Sequence, residues 1–274
     1  PRSTSSAASD VYKRQVALTT RETHVPVVLN AQEGIELPGG EESMALAANL
    51  PKSIFGALQL FLHGLVGWPA YLMLGATGGP KAANGRGLGK LSLGSNHFWP
   101  ARPFSTLLWP GSWARKVWIS DLGVGAVLGL LGLWASKAGF AAVAAIYGGP
   151  YLVVNAWLVA ITWLQHTDVD VPHLSSQSFS YMRGAFLSID RPYGRFINWL
   201  HHNIGSTHAV HHVDCTVPHY HAVEATAAVA KAFPKVYLYD PTPIHKALWR
   251  IATGCVAVQR SEDGGRYTWV PAYN

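Results

Sequence analysis

The chemistry of this sequence is concentrated in its histidines. There are 13 of them against 15 acids, and nine fall between His166 and His221. The centre of the group is His208-Ala209-Val210-His211-His212. On a helix, positions i, i+3 and i+4 lie on one face, so this spacing predicts a helix whose three imidazoles converge. Neutral imidazole is a borderline ligand that suits iron, zinc or copper. His201-His202-Asn203 lies one to two turns upstream and adds a candidate ligand or hydrogen-bond partner. A solitary histidine more commonly caps a helix or sits satisfied in a core. His24, His63, His97, His173 and His245 are read that way, and His219 and His221 stand evenly between the two readings. Other site patterns are missing from the sequence. Cys215 and Cys255 form no Cys-x-x-Cys pair and cannot frame a disulfide scaffold. The glycine-rich stretch from Gly75 to Gly94 holds no ordered G-x-G-x-x-G between a strand and a helix.

The elements that must carry these histidines are set by composition. Only 13% of the 274 residues are charged, about half the roughly 25% usual in soluble domains. The hydrophobic share is 49%, with 11 Trp and 27 Gly. This excludes a disordered or fibrous chain and an ordinary soluble enzyme. A net charge of +6 at such low charge density fits a membrane surface and not nucleic acid. Three apolar segments stand out. The first, 54–74, is interrupted by Gln59, His63, Gly67 and Pro69; the second, about 117–135, contains one acid, Asp121; the third, about 139–164, has no charge. Roughly 20 apolar residues cross a hydrocarbon layer of about 30 Å. The second and third segments meet that requirement, and Ser136-Lys137-Ala138 between them allows only a tight link, so a transmembrane hairpin is expected over 117–164. Gly125, Gly129 and Gly132 read as a helix-packing stripe within it.

Charge orients the hairpin. Residues 75–116 carry Lys81, Arg86, Lys90, Arg102, Arg115 and Lys116 with no acid, whereas the hairpin tip carries only Lys137. The positive-inside rule places 75–116 and the chain after 164 in the cytosol. Trp109, Trp113 and Trp118 fit an interfacial belt. Segment 54–74, with its proline and polar residues, is expected to lie in the membrane plane or to re-enter. The expected fold is mainly α: an integral membrane protein with one transmembrane hairpin and a cytosolic helical cap over 165–256 bearing the histidine site. Residues 1–15 read as a non-native leader, 16–53 as a cytosolic segment of loop with one short helix, and 257–274 as a tail forming a hairpin about Asp263-Gly264-Gly265.

Several stretches together resemble a known family. They are His202-Asn203-Ile204, Thr207-His208-Ala209-Val210-His211-His212, and Val217-Pro218-His219-Tyr220-His221-Ala222-Val223-Glu224-Ala225-Thr226. To these are added Gly67-Trp68-Pro69-Ala70-Tyr71-Leu72, Trp163-Leu164-Gln165-His166-Thr167, Arg183-Gly184-Ala185, Ile189-Asp190-Arg191-Pro192-Tyr193-Gly194, Tyr239-Asp240-Pro241-Thr242-Pro243 and Ala247-Leu248-Trp249-Arg250. From about residue 19 to 270 the chain resembles the membrane fatty-acid desaturases of the omega-6 (delta-12) acyl-lipid type, with the H-x-x-H-H above as their third histidine box. The resemblance implies a non-haem centre of two Fe ions, O2 as co-substrate, a membrane-lipid acyl chain as substrate, and a b-type cytochrome or ferredoxin as electron donor. It implies His208, His211 and His212 as metal ligands and His166 as a further ligand just outside the last membrane helix. His202, Asn203 and Glu224 are then expected as hydrogen-bond partners of the ligands.

Two features of the family pattern, the boxes H-x-x-x-H and H-x-x-H-H that precede the third, do not occur in the sequence. Arg21-Glu22-Thr23-His24-Val25-Pro26 resembles the family's sequence immediately downstream of the second box, so the chain is expected to be a C-terminal portion, inactive alone. The second and third boxes both face the cytosol in the family, which implies an even number of crossings between them and a segment 54–74 that does not cross. The implied activity is conversion of oleoyl to linoleoyl lipid; omega-3 desaturation and hydroxylation or conjugation of the same chain are the near alternatives. A reading of another class takes the chain as a non-catalytic membrane hairpin with an incomplete metal site. The flanks resemble the endoplasmic-reticulum branch more than the plastid branch.

Overall fold

A computed structural model describes residues 28–29, 46–74, 96–104, 109, 111–174, 178–262 and 264–270. The leader at 1–15, His24, Lys81, Arg86, Lys90 and Asp263 lie outside these residues. The chain divides into two compact units, one spanning Phe61–Ala160 and the other comprising Pro1–Leu60 with Ile161–Asn274.

Apolar sequence dominates the helices. Helix α1 (Lys52–Leu62) runs through a π-helical turn (His63–Gly67) into α2 (Trp68–Leu74). Helix α3 covers Trp113–Ala138; after Gly139, α4 (Phe140–Val143) continues through a second π-helical turn (Ala144–Gly148) into α5 (Gly149–His166). Three helices, Lys52–Met73, Trp113–Ala138 and Phe140–His166, are thus long and apolar enough to cross a membrane, at 22, 26 and 27 residues. At about 1.5 Å per residue each exceeds the roughly 30 Å of hydrocarbon. Both π-helical turns end two residues before a proline, Pro69 and Pro150. A proline has no N–H to donate and its ring crowds the preceding turn, and widening that turn lets the helix pass through. Pro69 therefore does not break segment 54–74, which forms one continuous helix.

The link between the second and third helices is shorter than the polar triplet suggests. Residues 136–138 belong to the last turn of α3, and the break is a single residue, Gly139, at φ 86°. Its N–H closes the helix end on Ala135 O at 2.9 Å. A side chain at this backbone angle is strained, so glycine here permits an abrupt end that the polar triplet only approximates. Glycine packing also falls elsewhere than expected. In the Phe61–Ala160 unit, a Cβ on Gly67 would meet Val159 at 3.3 Å and one on Gly64 would meet Ala156 at 4.0 Å, whereas Gly125, Gly129 and Gly132 face nothing within 4 Å among the described residues. Close approach is made by the first and third apolar helices.

In the other unit, short elements surround the end of α5. They are β2 (His173–Leu174), α6 (Tyr181–Ala185), β3 (Ile189–Asp190), α7 (Arg195–Leu200), α8 (His208–Val213), α9 (His219–Ala232), β4 (Leu238–Tyr239), α10 (Ile244–Gly254), β5 (Ala257–Arg260) and β6 (Arg266–Val270). Strands β3 and β4 pair in parallel, with Ile189 opposite Leu238. The C-terminal strands β5 and β6 form an antiparallel hairpin, flanked by β1 (Val28–Leu29) and β2 in a four-stranded sheet ordered β1-β5-β6-β2. The start of α1 packs on α10: a Cβ on Gly56 would lie 2.6 Å from Thr253 Cγ2 and about as close to the Trp249 ring. Beside it Ala47, Phe55 and Val256 form a buried cluster with Leu50.

Candidate metal centre

Helix α8 displays the predicted i, i+4 pair, and the last residue of α5 comes to meet it. Nε2 of His208 lies 3.0 Å from Nε2 of His166; Nε2 of His212 lies 3.1 Å from His166 and 2.8 Å from His208. These are the separations of adjacent ligands about an ion roughly 2.1 Å from each nitrogen. His208 and His212 are buried, and both are held well below the ordinary imidazole pKa, first by that burial and then by the neighbouring rings. Both rings are therefore neutral at pH 7. The three rings each direct Nε2 toward one point, and at most one proton can be shared along any edge of the triangle. A cation satisfies all three at once, so the donor set fits a transition metal. Among the described residues, Nδ1 of His208 and Nδ1 of His212 are buried without a hydrogen-bond partner.

The cluster is assembled by hydrogen bonds that cross long stretches of sequence. Gln165, fully buried beside His166, donates from Nε2 to Ile189 O at 2.9 Å and to Gly205 O at 2.7 Å. Its Oε1 accepts from the Tyr193 hydroxyl at 2.6 Å. The end of α5 is thereby clamped to β3 and to the loop that leads into α8. A Cβ on Gly205 would sit 2.6 Å from Arg191 O and 2.7 Å from the Tyr193 ring, so only glycine admits this approach. Asp190 supplies the missing cap of α8: its Oδ1 accepts from Ala209 N at 2.8 Å and its Oδ2 from the Tyr237 hydroxyl at 2.7 Å. Burial pushes its carboxyl pKa up, against the pull of those bonds. Tyr181 donates to His212 O at 2.5 Å at the other end of α8.

A second layer is ionic. The fully buried Arg191 donates from Nη2 to Asp168 and from Nε to Asp240 at 2.9 Å. Arg250 donates from Nη2 to both, at 2.5 Å and 2.6 Å. Two arginines and two aspartates close a neutral group that joins the residues just beyond α5, β3 and β4 to α10. For Asp240, burial raises the pKa, but hydrogen bonds from Thr242, Arg191 and Arg250 outweigh it and hold the carboxyl well below its usual range.

Of the residues singled out in the sequence, His166, His208 and His212 are brought together as one group. His211 projects from the same helix with its ring centroid 5.8 Å from those of both His208 and His212, outside that group. His202 and Asn203 adopt left-handed backbone, at φ 51° and 60°. The His202 ring stacks on His219 at 4.5 Å, and Asn203 O accepts from Thr207 Oγ1 at 3.0 Å, immediately before the box. Glu224, 87% exposed, sits 3.7 Å from Nδ1 of His221. Sequence reasoning does not single out Gln165, Asp168, Asp190, Tyr193, Asp240 or Arg250 as site residues. Their signal is rarity: buried acids, arginines and an amide in a chain this poor in charge require partners.

The model of the fatty acid desaturase family matches residues 67–243. The chain is 40% identical to the delta(12)-fatty-acid desaturase of Vernicia fordii over 76% of its own length and 50% of that protein. It is 40% identical to an endoplasmic-reticulum omega-6 fatty acid desaturase of Glycine max, over 75% and 50% of the two chains. To the oleoyl-12-hydroxylase of Ricinus communis the identity is 39%, over 72% and 47%. The chain spans about half the length of the curated relatives it matches. With the family match running through the end of α5, the α8 histidines and the Asp240 partner of Arg191, the chain belongs to the fatty acid desaturase family.

Proposed function

We propose that the protein containing this chain is a membrane-bound acyl-lipid desaturase that inserts a cis double bond into oleoyl lipid to give linoleoyl lipid. The observation that carries this reading is the convergence of His166, His208 and His212 on one point in a family member whose relatives are named as delta-12 desaturases. Those three residues would hold one Fe ion, and His211, turned aside on the same helix, is assigned to the second ion of a two-iron centre. Iron in this setting supplies O2 activation and the cleavage of two unactivated C–H bonds. The chain's own residues keep His208 and His212 neutral by burial, clamp the end of α5 that carries His166 through Gln165, and hold the α8 backbone through Asp190 and Tyr181. Electrons would come from a b-type cytochrome or a ferredoxin.

We place the metal site on the cytosolic side of the membrane, because Arg102 lies before α3, Arg115 and Lys116 lie in its first turn, and only Lys137 lies at its far end. The Glycine max relative, named for the endoplasmic reticulum, supports that compartment. The whole protein expressed in yeast, which supplies oleoyl lipid, is expected to yield a dienoic C18 acid by gas chromatography. An expressed, membrane-inserted protein that leaves oleate untouched overturns the proposal. The hydroxylase of Ricinus communis is nearly as similar as the desaturases, and a hydroxylated C18 acid in the same extract would establish that second reading.

A further inference from the structure

Helix α7 is amphipathic in the wrong sense for a helix facing water. Phe196, Trp199 and Leu200, at i, i+3 and i+4, share one face and are 70%, 72% and 53% exposed. The Phe196 and Trp199 rings lie 6.2 Å apart, forming one continuous apolar surface. The polar residue points inward: Asn198 Oδ1 accepts from Tyr193 N at 2.9 Å, and its Nδ2 donates to Ser206 Oγ at 3.1 Å. Isolated exposed apolar side chains need no explanation, but three large ones contiguous on one short helix mark a surface meant to be covered.

The position of this face in its own unit identifies what covers it. Asn198 holds Tyr193, and Tyr193 holds Gln165 in the last turn of the apolar helix Phe140–His166. The exposed face of α7 is therefore two hydrogen-bonded steps from the point where that helix leaves its apolar stretch. Trp and Phe beside Arg195 are the residue types found where a helix lies at the boundary of headgroups and acyl chains. No acid occurs from Arg191 to Val213, so nothing in the segment repels anionic headgroups.

We propose that α7 is an interfacial anchor, inserting Phe196, Trp199 and Leu200 into the surface of the same bilayer that Phe140–His166 crosses, so that His166 and α8 are held at a fixed height above it. The proposal rests on the reading of Phe140–His166 as a membrane-crossing helix. It is tested on the full chain reconstituted in phosphatidylcholine–phosphatidylserine vesicles, with Cys215 and Cys255 replaced by alanine. An environment-sensitive fluorophore is attached at one of four positions: Trp199→Cys, Leu200→Cys, Ile146→Cys and Lys231→Cys. An unchanged far-ultraviolet circular dichroism spectrum certifies each variant, and Leu200→Cys serves if Trp199→Cys does not fold.

The label on α7 is expected to be quenched by lipids carrying a nitroxide near the headgroup more than by lipids carrying it deep in the chain, as for insertion of about 5–10 Å. The label at 231, on the exposed side of α9, is expected to be quenched by aqueous iodide, and the label at 146 by the deep nitroxide. Iodide quenching at 199 and 200 with deep quenching at 146 overturns the anchor while leaving the crossing helix intact. Shielding at 199 and 200 from both iodide and lipid means that protein covers the face, and also overturns it. Absence of lipid quenching at 146 overturns the crossing helix and the anchor together.

Discussion

Three imidazole nitrogens aimed at one another across about 3 Å repel unless a proton or a cation joins them, and burial disfavours the proton. Replacing any one of His166, His208 or His212 by alanine is therefore expected to remove metal binding, read by titrating Co2+ and following its visible absorption. In the same assay His211→Ala is expected to leave the first Co2+ bound, because its ring lies outside the triangle; equal loss in all four variants would contradict this assignment. In the whole protein, His211→Ala is expected to abolish desaturation and His245→Ala, on the exposed start of α10, to be nearly silent. Gln165 makes a sharper test. Gln165→Leu leaves two carbonyls and a tyrosine hydroxyl without their buried partner, at about 1–3 kcal/mol for each unsatisfied group. Co2+ affinity is expected to fall about tenfold, at the low end of the loss seen when outer partners of metal ligands are removed. At this scale the spacing His208-x-x-His211-His212 was legible because helical periodicity is local. Gln165 was not, because its partners stand 24, 28 and 40 residues away and no periodicity relates them.

Between the elements, the neutral group of Asp168, Arg191, Asp240 and Arg250 does the joining. Removing one partner of a buried ionic group leaves an uncompensated charge, and Arg191→Met is expected to destabilise by about 3–5 kcal/mol. The partly exposed Arg250 should cost less when replaced, and equal losses on denaturant unfolding would argue that burial is not what matters. Asp240 adds a pH dependence whose sign is set. Its carboxyl pKa lies lower in the folded protein than in the unfolded chain, so the stability it contributes is complete above the unfolded value of about 4 and is lost as pH falls below it. Melting temperature is expected to drop below about pH 4, and Asp240→Asn to flatten that drop while lowering stability near neutrality. The three apolar helices were legible in the sequence because apolar runs need no tertiary partner to be recognised. Their details were not. Pro69 has the look of a break, yet a π-helical turn accommodates it, and the turn falls at Gly139, where positive φ matters more than polarity.

For the whole molecule the open quantity is the number of membrane crossings, and the packing of one unit limits it. The start of the helix Lys52–Met73 touches α10 through Gly56 and Thr253, and the end of α10 touches the residues just after His166 through Gly254 and Val169. The Lys52 end of the first apolar helix and the His166 end of the last are therefore expected on one side of a membrane. Three crossings would put them on opposite sides, so an even number is expected. Lys52–Met73, with Gln59 and His63 inside it, is the helix expected not to cross, and Trp113–Ala138 and Phe140–His166 are expected to cross as a pair. With six basic residues in 75–116 against the single Lys137, the 75–116 side is expected to face the cytosol. In sealed microsomes, a membrane-impermeant maleimide is expected to label Ala48→Cys, Arg115→Cys and His245→Cys from the cytosolic face. Lys137→Cys is expected to react only after detergent. Labelling of Ala48→Cys together with Lys137→Cys, and apart from Arg115→Cys, would mean that the first helix crosses after all. Because the contacts through Gly56 could not then survive, that outcome would also break the link between the first helix and the histidine-bearing unit.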